Sequence, residues 1–595
     1  MKQEPCDFSH GRFRKYKLIG STNENIINCV LENRGLTRSQ VNEILEPSIE
    51  EYDGMLFRNM KIGIDMLHKA IENNINIGIV VDTDCDGYCS SSMIQEFITK
   101  DLSYPNVKLL FHEEHVKSHG IDEEIYNKII DLNIQLVITP DAGSTNTDYE
   151  YMSELNSEYK TKFLILDHHG VEYDNALEDL VLINYNHTDC NYPNKFLSGA
   201  AVTYKFIQTY AKLHNINIDS KYVDIAALSL VSDMMNLRDS IENRVILNNG
   251  SLKDNITSPL MQQFIVSKGL KGKRISIEDY AFSIASLINA TIREGSQEDK
   301  ELLLKSFYNV CFVQSNKRGN FGALEEIGLE VMRRMSNNKS KQDKPVKLAA
   351  DKIMKHIEEN NMLNDKVIML DVTNILDSSV TGLVSNRLLG ILKRPIMLYK
   401  DIEDGLVGGS CRGIKVDSFK NICLQSNLFT FCSGHDNSFG HNIHKDNLGK
   451  LKEYFNDKLK DLVIEDVVEV DAAYKSTVPL RDIESINLIW DLWCNDIKEP
   501  LFLIKDVQVD TSKIMKLGNA EYFFRVDNMS YNKKFCSKVW IEEFTKQELT
   551  DQNKKTKYPF KPSNLLCDLV VKFKSNDKGY YYVDIVDASS SLIEP

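Results

Sequence analysis

The segment Ile77-Gly78-Ile79-Val80-Val81-Asp82-Thr83-Asp84-Cys85-Asp86-Gly87 is an apolar run that ends in three closely spaced aspartates. The apolar part is typical of a strand that is buried on both faces. We predict a helix from near Ser90, with Gly87 permitting a backbone bend that brings the three carboxylates to one side. Hard divalent cations need several oxygen ligands, so the three aspartates could form part of a metal site. An aspartate-rich turn that caps the next helix explains the same sequence equally well.

Short apolar segments alternate with helical stretches on both sides of this motif. The predicted strands are residues 77–81, 108–111, 136–139, 163–166 and 181–184. This alternation predicts an α/β fold with a parallel sheet and crossover helices. In open sheets of this kind the active site lies beyond the carboxyl ends of the strands, so acidic motifs that are distant in sequence would meet there.

Three further segments place an aspartate at the end of an apolar stretch. They are Thr139-Pro140-Asp141-Ala142-Gly143, Asp167-His168-His169-Gly170 and Ser232-Asp233-Met234-Met235. A single histidine pair is usually structural. Four acidic sites at matching ends of one sheet are difficult to attribute to chance, and they favour a metal site over a set of helix caps.

The motifs DTDCDG (82–87), TPDAG (139–143), DHHG (167–170) and SDMM (232–235) resemble the four motifs of the DHH phosphoesterase superfamily, and the chain looks like the RecJ-type exonucleases within it. The similarity extends to residues 192–200, 242–244, 287–293, 407–412 and 432–440. The resemblance implies an N-terminal helical segment (1–55), a parallel-sheet DHH domain (56–250), connecting helices (251–345), a second α/β DHH-associated domain (346–460) and a C-terminal OB-fold β-barrel (465–595).

The resemblance also implies a cofactor and a set of site residues. Two Mn²⁺ or Mg²⁺ ions would be held by Asp84, Asp86, Asp141, His168 and Asp233. Catalytic roles would belong to Asp82, Asp167 and His169, with Asp82 either a ligand or a partner of the ligands. Substrate binding would involve Ser410, Arg412, Gly434 and His435 at the 5′ end of the strand, and Asn289 and Arg293 on a connecting helix. We predict that His441 and His444 are surface residues without a role.

The leading hypothesis is an exonuclease that degrades single-stranded DNA from 5′ to 3′ into 5′-mononucleotides, in DNA recombination and repair or in phage DNA metabolism. Its polarity and product come from the resemblance alone. One alternative is a phosphodiesterase for short oligonucleotides or cyclic dinucleotides, although small relatives of that kind lack the connecting helices and the OB-fold. Another is a catalytically silent scaffold, which predicts eroded aspartates, whereas every motif aspartate is present here.

Composition limits the remaining possibilities. The 595 residues are 42% apolar and 26% charged, which is typical of a globular protein of several domains. A net charge of −15 argues against a protein that coats nucleic acid, so a DNA track requires a local basic patch. Twelve cysteines without a CxxC pair indicate reduced thiols.

Without a membrane-spanning run or a signal peptide, we expect a cytoplasmic monomer. Its expected partners are single-stranded DNA and either a single-strand-binding protein or a helicase.

Several positions depart from the family pattern. Val81 replaces the usual glycine, Ser286 replaces a common arginine, and the segment before Glu499-Pro500-Leu501-Phe502 lacks its usual glycine-rich form. These departures indicate a divergent member, of the kind expected on a phage or mobile element. The basic stretch 333–347, at the end of the predicted connecting helices, is interpreted as a solvated linker face.

Overall fold

The computed structural model describes residues 15–19, 25–47, 51–113, 118–174, 177–270, 274–376, 380–402, 405–462, 464, 467–513, 515–517, 521–526, 529–534, 564–575 and 580–592. Three larger sheets, two small strand pairs and the helices between them make up these residues. Within these ranges no helix combines the length and the apolar character that crossing a bilayer requires.

A parallel sheet lies at the centre of the N-terminal half. Its strands are β2 (Ile77–Val81), β3 (Val107–Phe111), β4 (Leu136–Pro140), β5 (Lys162–Leu166) and β6 (Leu180–Ile183). Their order is β3-β2-β4-β5-β6, and every neighbouring pair is parallel. All five predicted strands are therefore confirmed to within one residue at each end. Because β2, β4 and β5 are adjacent, the three motifs that follow them emerge side by side.

Helices cover both faces of this sheet. They are α3 (Met60–Glu72), α4 (Cys85–Glu96), α5 (Glu123–Asp131), α6 (Asn146–Tyr159), α7 (Gly199–His214), α8 (Val223–Ser232) and α9 (Ile241–Gly250). Ile79 and Ile138 pack into the core shared with α3, α4, α7 and α8, whereas Val80 and Val137 pack against α5 and α6. Burying each aliphatic side chain of this kind contributes about 1.5–3 kcal/mol, which explains strands that are apolar at every position.

The connecting region is helical. It contains α10 (Pro259–Lys268), a π-helix (Asp279–Ala285) that runs into α11 (Ser286–Glu294), α12 (Gln297–Ser306), the hairpin of β7 (Phe312–Gln314) and β8 (Leu324–Glu326), and α13 (Ile327–Glu359). The basic stretch 333–347 lies within α13 and is therefore not a linker, although Lys341, Lys344 and Lys347 are exposed to solvent as expected. Arg334 is anchored by Asp299 of α12 at 2.8 Å, which fixes the first half of α13 against the other connecting helices.

A second α/β unit follows. Its elements are β9 (Ile368–Asp371), α14 (Thr381–Leu392), β10 (Ile396–Asp401), β11 (Leu406–Arg412), α15 (Phe419–Gln425), β12 (Phe429–His435), β13 (Ser438–His444) and α16 (Leu448–Lys458). The strand order is β12-β13-β11-β10-β9, with β9 and β10 parallel and the other pairs antiparallel. His441 is only 1% exposed in this sheet, so its predicted surface position is wrong. The neighbouring strands and the edge of the Phe429 ring cover it, whereas His444 is exposed as predicted.

The C-terminal unit is mostly strand. It comprises β14 (Val467–Val470), β15 (Ala472–Lys475), α17 (Leu480–Leu488), β16 (Phe502–Asp510), β17 (Met515–Leu517), β18 (Glu521–Val526), β19 (Met529–Lys534), β20 (Asn564–Ser575) and β21 (Tyr581–Leu592). The described strands form a sheet of order β15-β16-β20-β21-β19-β18-β17. Among these strands no pairing joins β15 to β17, so the predicted closed OB-fold barrel is not confirmed.

The N-terminal elements pack onto this C-terminal unit. They are β1 (Lys15–Leu18), α1 (Ile26–Glu32) and α2 (Arg38–Leu45). β1 pairs in parallel with β14, and residues of α1 and α2 share a core with α17, β16 and β20. Thr37 caps α2 through a reciprocal pair of hydrogen bonds with Gln40, as expected of a capped amphipathic helix.

Candidate metal centre

The first acidic segment turns directly from β2 into α4. This helix begins at Cys85, not near Ser90 as predicted, because the Asp84 carboxylate accepts the Gly87 N–H at 3.0 Å and caps it. Gly87 supplies close packing instead of a bend, since a Cβ at this position would lie 2.5 Å from the Cβ of Asp82. The helix-cap interpretation is thus correct for Asp84, and this cap also places its carboxylate beside Asp82 and Asp86.

All four acidic segments meet at the carboxyl edge of the parallel sheet. Asp141 follows β4, His168 follows β5, and Asp233 caps the C-terminus of α8. His168 Nε2 lies 3.2 Å from Asp141 Oδ1, 3.6 Å from Asp233 Oδ2 and 3.9 Å from Asp86 Oδ2. One imidazole therefore contacts carboxylates from three different segments.

The potential ligand atoms form overlapping groups in which all atoms lie within 4.8 Å of one another. The groups are Asp141 with Asp167, His168 and His169; Asp86 with His168 and Asp233; and Asp82 with Asp84 and Asp141. Asp141 and His168 each belong to two groups. The structure thus brings together every residue predicted for metal binding or catalysis, while their individual roles stay predictions.

The buried carboxylates of this cluster favour the binding of a cation. Burial and the neighbouring carboxylates raise the pKa of Asp84 to about 6 and hold the pKa values of Asp141 and Asp233 well above the usual range. Asp141 Oδ1 and Asp233 Oδ2 are buried and accept no hydrogen bond among the described residues. Buried carboxylates are normally paired, hydrogen-bonded or bound to metal. A mixed set of carboxylate and imidazole donors fits Mn²⁺ or Mg²⁺.

Asp86 is fixed by groups that the sequence motifs do not include. It accepts the N–H groups of Gly199 and Ala200, both at 2.8 Å, and the Ser229 hydroxyl at 2.6 Å. The first two donors form the N-terminus of α7, where the helix dipole favours negative charge. Ser229 gives no signal in the sequence because it lies within the apolar helix α8.

The DHH segment is held in a similar way. Asp167 Oδ1 accepts the backbone N–H of His168 at 2.7 Å and lies 2.9 Å from His169 Nδ1. Burial acts to lower the pKa of His169, but the Asp167 carboxylate outweighs it and raises this pKa to about 10. His119 Nδ1 lies 2.8 Å from Asp82 Oδ2, so the segment that follows β3 also reaches the cluster.

Comparison with known proteins assigns this cluster to a family. Residues 76–230 match the model of the DHH family, N-terminal domain. The single-stranded-DNA-specific exonuclease RecJ of Bacillus subtilis is 24% identical over 452 residues, which is 75% of this chain and 52% of that protein. The SPbeta prophage-derived protein YorK of Bacillus subtilis, whose name describes a single-strand DNA-specific exonuclease, is 32% identical over 519 residues, covering 85% of this chain and 87% of that protein. The chain is a RecJ-like member of the DHH family.

Solved structures of RecJ share this fold. The crystal structure of RecJ from Thermus thermophilus in complex with Mn²⁺ matches with a TM-score of 0.65 at 15% identity, covering 98% of this chain and 80% of that one. The Mg²⁺ complex from the same organism matches with a TM-score of 0.60, covering 97% and 78%. The match spans both α/β units and the C-terminal sheet of this RecJ-like chain.

The predicted phosphate anchor of this RecJ-like protein lies in the second α/β unit. Arg412 Nη1 donates to Ser410 Oγ at 2.6 Å, and Arg412 Nε donates to Asn386 Oδ1 of α14 at 2.7 Å. Burial lowers the pKa of Arg412, and the nearby charge of Arg293 lowers it further. Burial also lowers the pKa of Arg293, and the Asp84 carboxylate opposes that shift. Arg293 therefore lies near both the acidic cluster and Arg412.

The other predicted substrate residues are placed as follows. Asn289 Oδ1 accepts the Cys85 N–H at 3.1 Å, so Asn289 supports the first turn of α4 beside the cluster. Gly434 lies in β12 with a φ of 124°, and its carbonyl accepts a hydrogen bond from Lys420 Nζ at 2.7 Å. His435 ends β12, and its side chain is outside the described residues. Asn386 was not predicted from the sequence, because nothing in α14 marks it as a partner of Arg412.

Proposed function

We propose that this chain is a 5′-to-3′ exonuclease that hydrolyses the phosphodiester bonds of single-stranded DNA to 5′-mononucleotides and requires Mn²⁺ or Mg²⁺. The cluster of buried carboxylates around His168 carries the proposal, since such a group at the carboxyl edge of a sheet fits metal-assisted phosphoester hydrolysis. The names of the similar proteins, YorK and RecJ, support single-stranded DNA as the substrate.

In this proposal two ions would be held by Asp84, Asp86, Asp141, His168 and Asp233. Bound divalent ions lower the pKa of a coordinated water and neutralise charge on the reacting phosphate. The chain supplies orientation: the N-terminus of α7 fixes Asp86, and Asp167 fixes His169. Asp82, paired with His119, would complete the polar wall around the phosphate.

The two arginines suggest the path of the strand. Arg293 lies near Asp84, and Arg412 lies near Arg293 on the second α/β unit. Two guanidinium groups close together repel each other unless an anion lies between them, and guanidinium groups bind phosphate through paired hydrogen bonds. We assign the 5′ phosphate to Arg412 and Ser410, with Arg293 on the phosphate next to the metal centre. The C-terminal unit would bind the strand further along as an OB-fold.

The test compares substrates and polarity directly. Purified protein with Mn²⁺ is incubated with single-stranded DNA labelled at either end, with RNA, with duplex DNA and with dinucleotides. The proposal expects labelled mononucleotide to appear at once from the 5′-labelled single strand, and late from the 3′-labelled strand. Cleavage of dinucleotides alone would instead indicate an oligonucleotide phosphodiesterase, and no cleavage of any substrate would contradict a nuclease.

The Asp84→Asn variant distinguishes the loss of a metal ligand from a loss of folding. Asparagine is as good a helix cap as aspartate, so α4 should keep its N-terminus while one charged ligand is lost. We expect unchanged circular dichroism and a fall in mononucleotide release of at least about a hundredfold, more than is typical for changes outside the ligand shell. Full activity in this variant would remove Asp84 from the mechanism.

A further inference from the structure

The loop between α8 and α9 (residues 234–239, the α8–α9 loop) directly follows one of the proposed metal ligands. Asp233 ends α8, and its Oδ2 is buried and accepts no hydrogen bond among the described residues. Asp86, in contrast, accepts hydrogen bonds from two backbone N–H groups and a hydroxyl. Because no donor fixes this oxygen of Asp233, its position depends on the backbone on both sides of the residue.

Side chains from outside the α8–α9 loop hold its backbone. Asn243 Nδ2 donates to the Asn236 carbonyl at 3.0 Å. Arg244 Nε donates to the Leu237 carbonyl at 2.5 Å. Both donors lie on α9, where they are 0% and 1% exposed. Asp496 of the C-terminal unit accepts the Leu237 N–H at 2.8 Å, so the two main-chain polar groups of Leu237 are bound by different parts of the chain.

Arg244 also binds the segment that contains Asp496. Its Nη1 donates to the Asp491 carbonyl and its Nη2 donates to the Leu492 carbonyl, both at 3.0 Å. Burial lowers the pKa of Arg244, and the charges of Cys494 and Asp496 oppose this shift. A buried charge is costly unless it is hydrogen-bonded. Arg244 therefore fixes the segment 490–496 and the α8–α9 loop relative to each other.

The same turn of α9 reaches the groups that hold Asp86. Asn243 Nδ2 donates a second hydrogen bond, to the Phe196 carbonyl at 2.7 Å. Phe196 lies three residues before Gly199, whose N–H binds Asp86. Residues 242–244, to which the sequence assigned no role, thus contact segments on two sides of the candidate metal centre.

We propose that the segment 490–496 of the C-terminal unit is a positioning element of the metal centre. Through Asp496 and Arg244 it fixes the α8–α9 loop after Asp233, and it thereby raises the affinity of the cluster for divalent cations. Groups that hydrogen-bond directly to a ligand typically change metal affinity about 10- to 100-fold. Asp496 acts through the backbone next to a ligand, so we expect a smaller effect. This positioning role rests on the metal binding of the proposed function, and it is separate from any binding of the strand by the C-terminal unit.

The experiment is a Mn²⁺ titration of the full chain without DNA, in which the electron paramagnetic resonance signal of free Mn²⁺ reports binding. Asp496→Ala removes the acceptor of the Leu237 N–H and should lower the affinity for Mn²⁺ about fivefold. Asp496→Asn keeps an oxygen acceptor and should bind Mn²⁺ nearly as well as the unmodified protein. Asp491→Ala is the matched control, because it also removes a carboxylate near Arg244, whereas only the main-chain carbonyl of Asp491 binds Arg244.

The outcomes distinguish the positioning role from the proposed function. Asp496 is exposed, so its variants should fold normally, which circular dichroism checks. An unchanged Mn²⁺ affinity in Asp496→Ala, or an equal loss in Asp496→Asn or Asp491→Ala, overturns the positioning role even when the unmodified protein binds Mn²⁺ and releases mononucleotides. A loss confined to Asp496→Ala supports it even when no hydrolysis is detected. If the unmodified protein binds no Mn²⁺, the proposed function and the positioning role are both wrong.

Discussion

Asp141 and Met234 have strained backbones at the candidate metal centre. Both are in the left-handed region, with φ values of 67° and 56°. A residue other than glycine in such a conformation costs about 1–3 kcal/mol. Asp141 follows β4 and Met234 follows Asp233, so the strain adjoins two of the proposed ligands. The surrounding fold therefore imposes this arrangement of carboxylates against the local preference of the chain.

His441 should make the stability of the protein depend on pH. Burial lowers its pKa to about 4, whereas an unfolded histidine titrates near 6.5. Below about pH 6.5 the histidine of the unfolded state binds a proton, whereas His441 in the folded state stays neutral. The contribution of His441 to the free energy of unfolding is therefore fully present above that pH and is lost as the pH falls towards 4. At about pH 5 the loss attributable to His441 is about 2 kcal/mol.

Urea unfolding at about pH 8 and about pH 5 measures this effect. In His441→Leu the free energy of unfolding should fall less between the two pH values than in the unmodified protein, by about 2 kcal/mol. His444→Leu is the matched control, since His444 is exposed at the end of the same strand. Equal pH dependence in His441→Leu and the unmodified protein would show that His441 remains able to protonate when folded.

At the scale of residues, the sequence predicts the proposed metal ligands better than the residues that hydrogen-bond to them. The motif aspartates and His168 meet as expected because each follows an element whose end is fixed by the sheet. The burial of His441 was missed, although it alternates with Phe439 and Ile443, the two apolar residues on the buried face of β13. Ser229 was missed because its partner, Asp86, is 143 residues away.

At the scale of elements, the N-terminus of α7 positions the acidic cluster. A Cβ on Gly199 would lie 2.3 Å from Asp141 Oδ1, and the Gly199 N–H binds Asp86. Gly199→Ala should therefore displace both carboxylates and lower hydrolysis about 10- to 100-fold, as is usual when groups that orient metal ligands are changed. The measurement is mononucleotide release at increasing Mn²⁺ concentrations.

Gly170→Ala provides the control for that variant. Gly170 belongs to the DHHG motif, but a Cβ there would meet no atom within 4 Å. We expect the rate of Gly170→Ala to stay close to that of the unmodified protein. Similar losses in both variants would indicate that the DHHG glycine has a role of its own, and no loss in Gly199→Ala would contradict the positioning role of α7.

Periodicity predicted the elements of the parallel sheet well because both of its faces are buried and its strands are uniformly apolar. It predicted helices up to residue 345 but not the continuation of α13 to Glu359. The residues 333–347 are basic and polar, yet Arg334 is bound by Asp299 of α12 and by Glu330 of its own helix. Long-range ion pairs of this kind leave no periodic signal, so a helix that they stabilise resembles a linker.

At the scale of the whole molecule, a buried ion pair joins the segment after α1 to the C-terminal unit. Arg34 Nη1 lies 2.7 Å from Asp471 Oδ1, and Asn33 Nδ2 donates to the same oxygen at 2.8 Å. The side chains of Arg34 and Asp471 are 11% and 3% exposed. Removing one member of such a pair typically destabilises a protein by about 3–5 kcal/mol, because the other charge stays buried. Asp471→Ala should lower the free energy of unfolding by about that amount in urea.

Glu469→Ala is the control for this prediction. Glu469 of β14 pairs with Lys17 of β1 at 3.3 Å in the same interface, but both side chains are more than half exposed. Exposed pairs contribute about 0–1 kcal/mol. A small effect in both variants would mean that the N-terminal elements are not held by Asp471.

The packing of the N-terminal helices onto the C-terminal unit could not be predicted from the sequence. The order of the predicted units can be read from the motifs, but the packing of α1 and α2 onto the C-terminal sheet cannot. The predicted boundary at 345/346 falls within α13, which runs from the connecting region into the second α/β unit. The packing of α1 and α2 depends on contacts such as that of Arg34 with Asp471, which are 437 positions apart and beyond the reach of local patterns.

The central claim is that the carboxylates around His168 bind divalent cations. The most direct test is a crystal of the full chain grown with Mn²⁺, with anomalous diffraction recorded at the manganese edge. The account predicts anomalous peaks among Asp84, Asp86, Asp141, His168 and Asp233, and their loss in Asp141→Asn. An empty cluster in crystals that hold manganese elsewhere, or peaks that persist in Asp141→Asn, would contradict it.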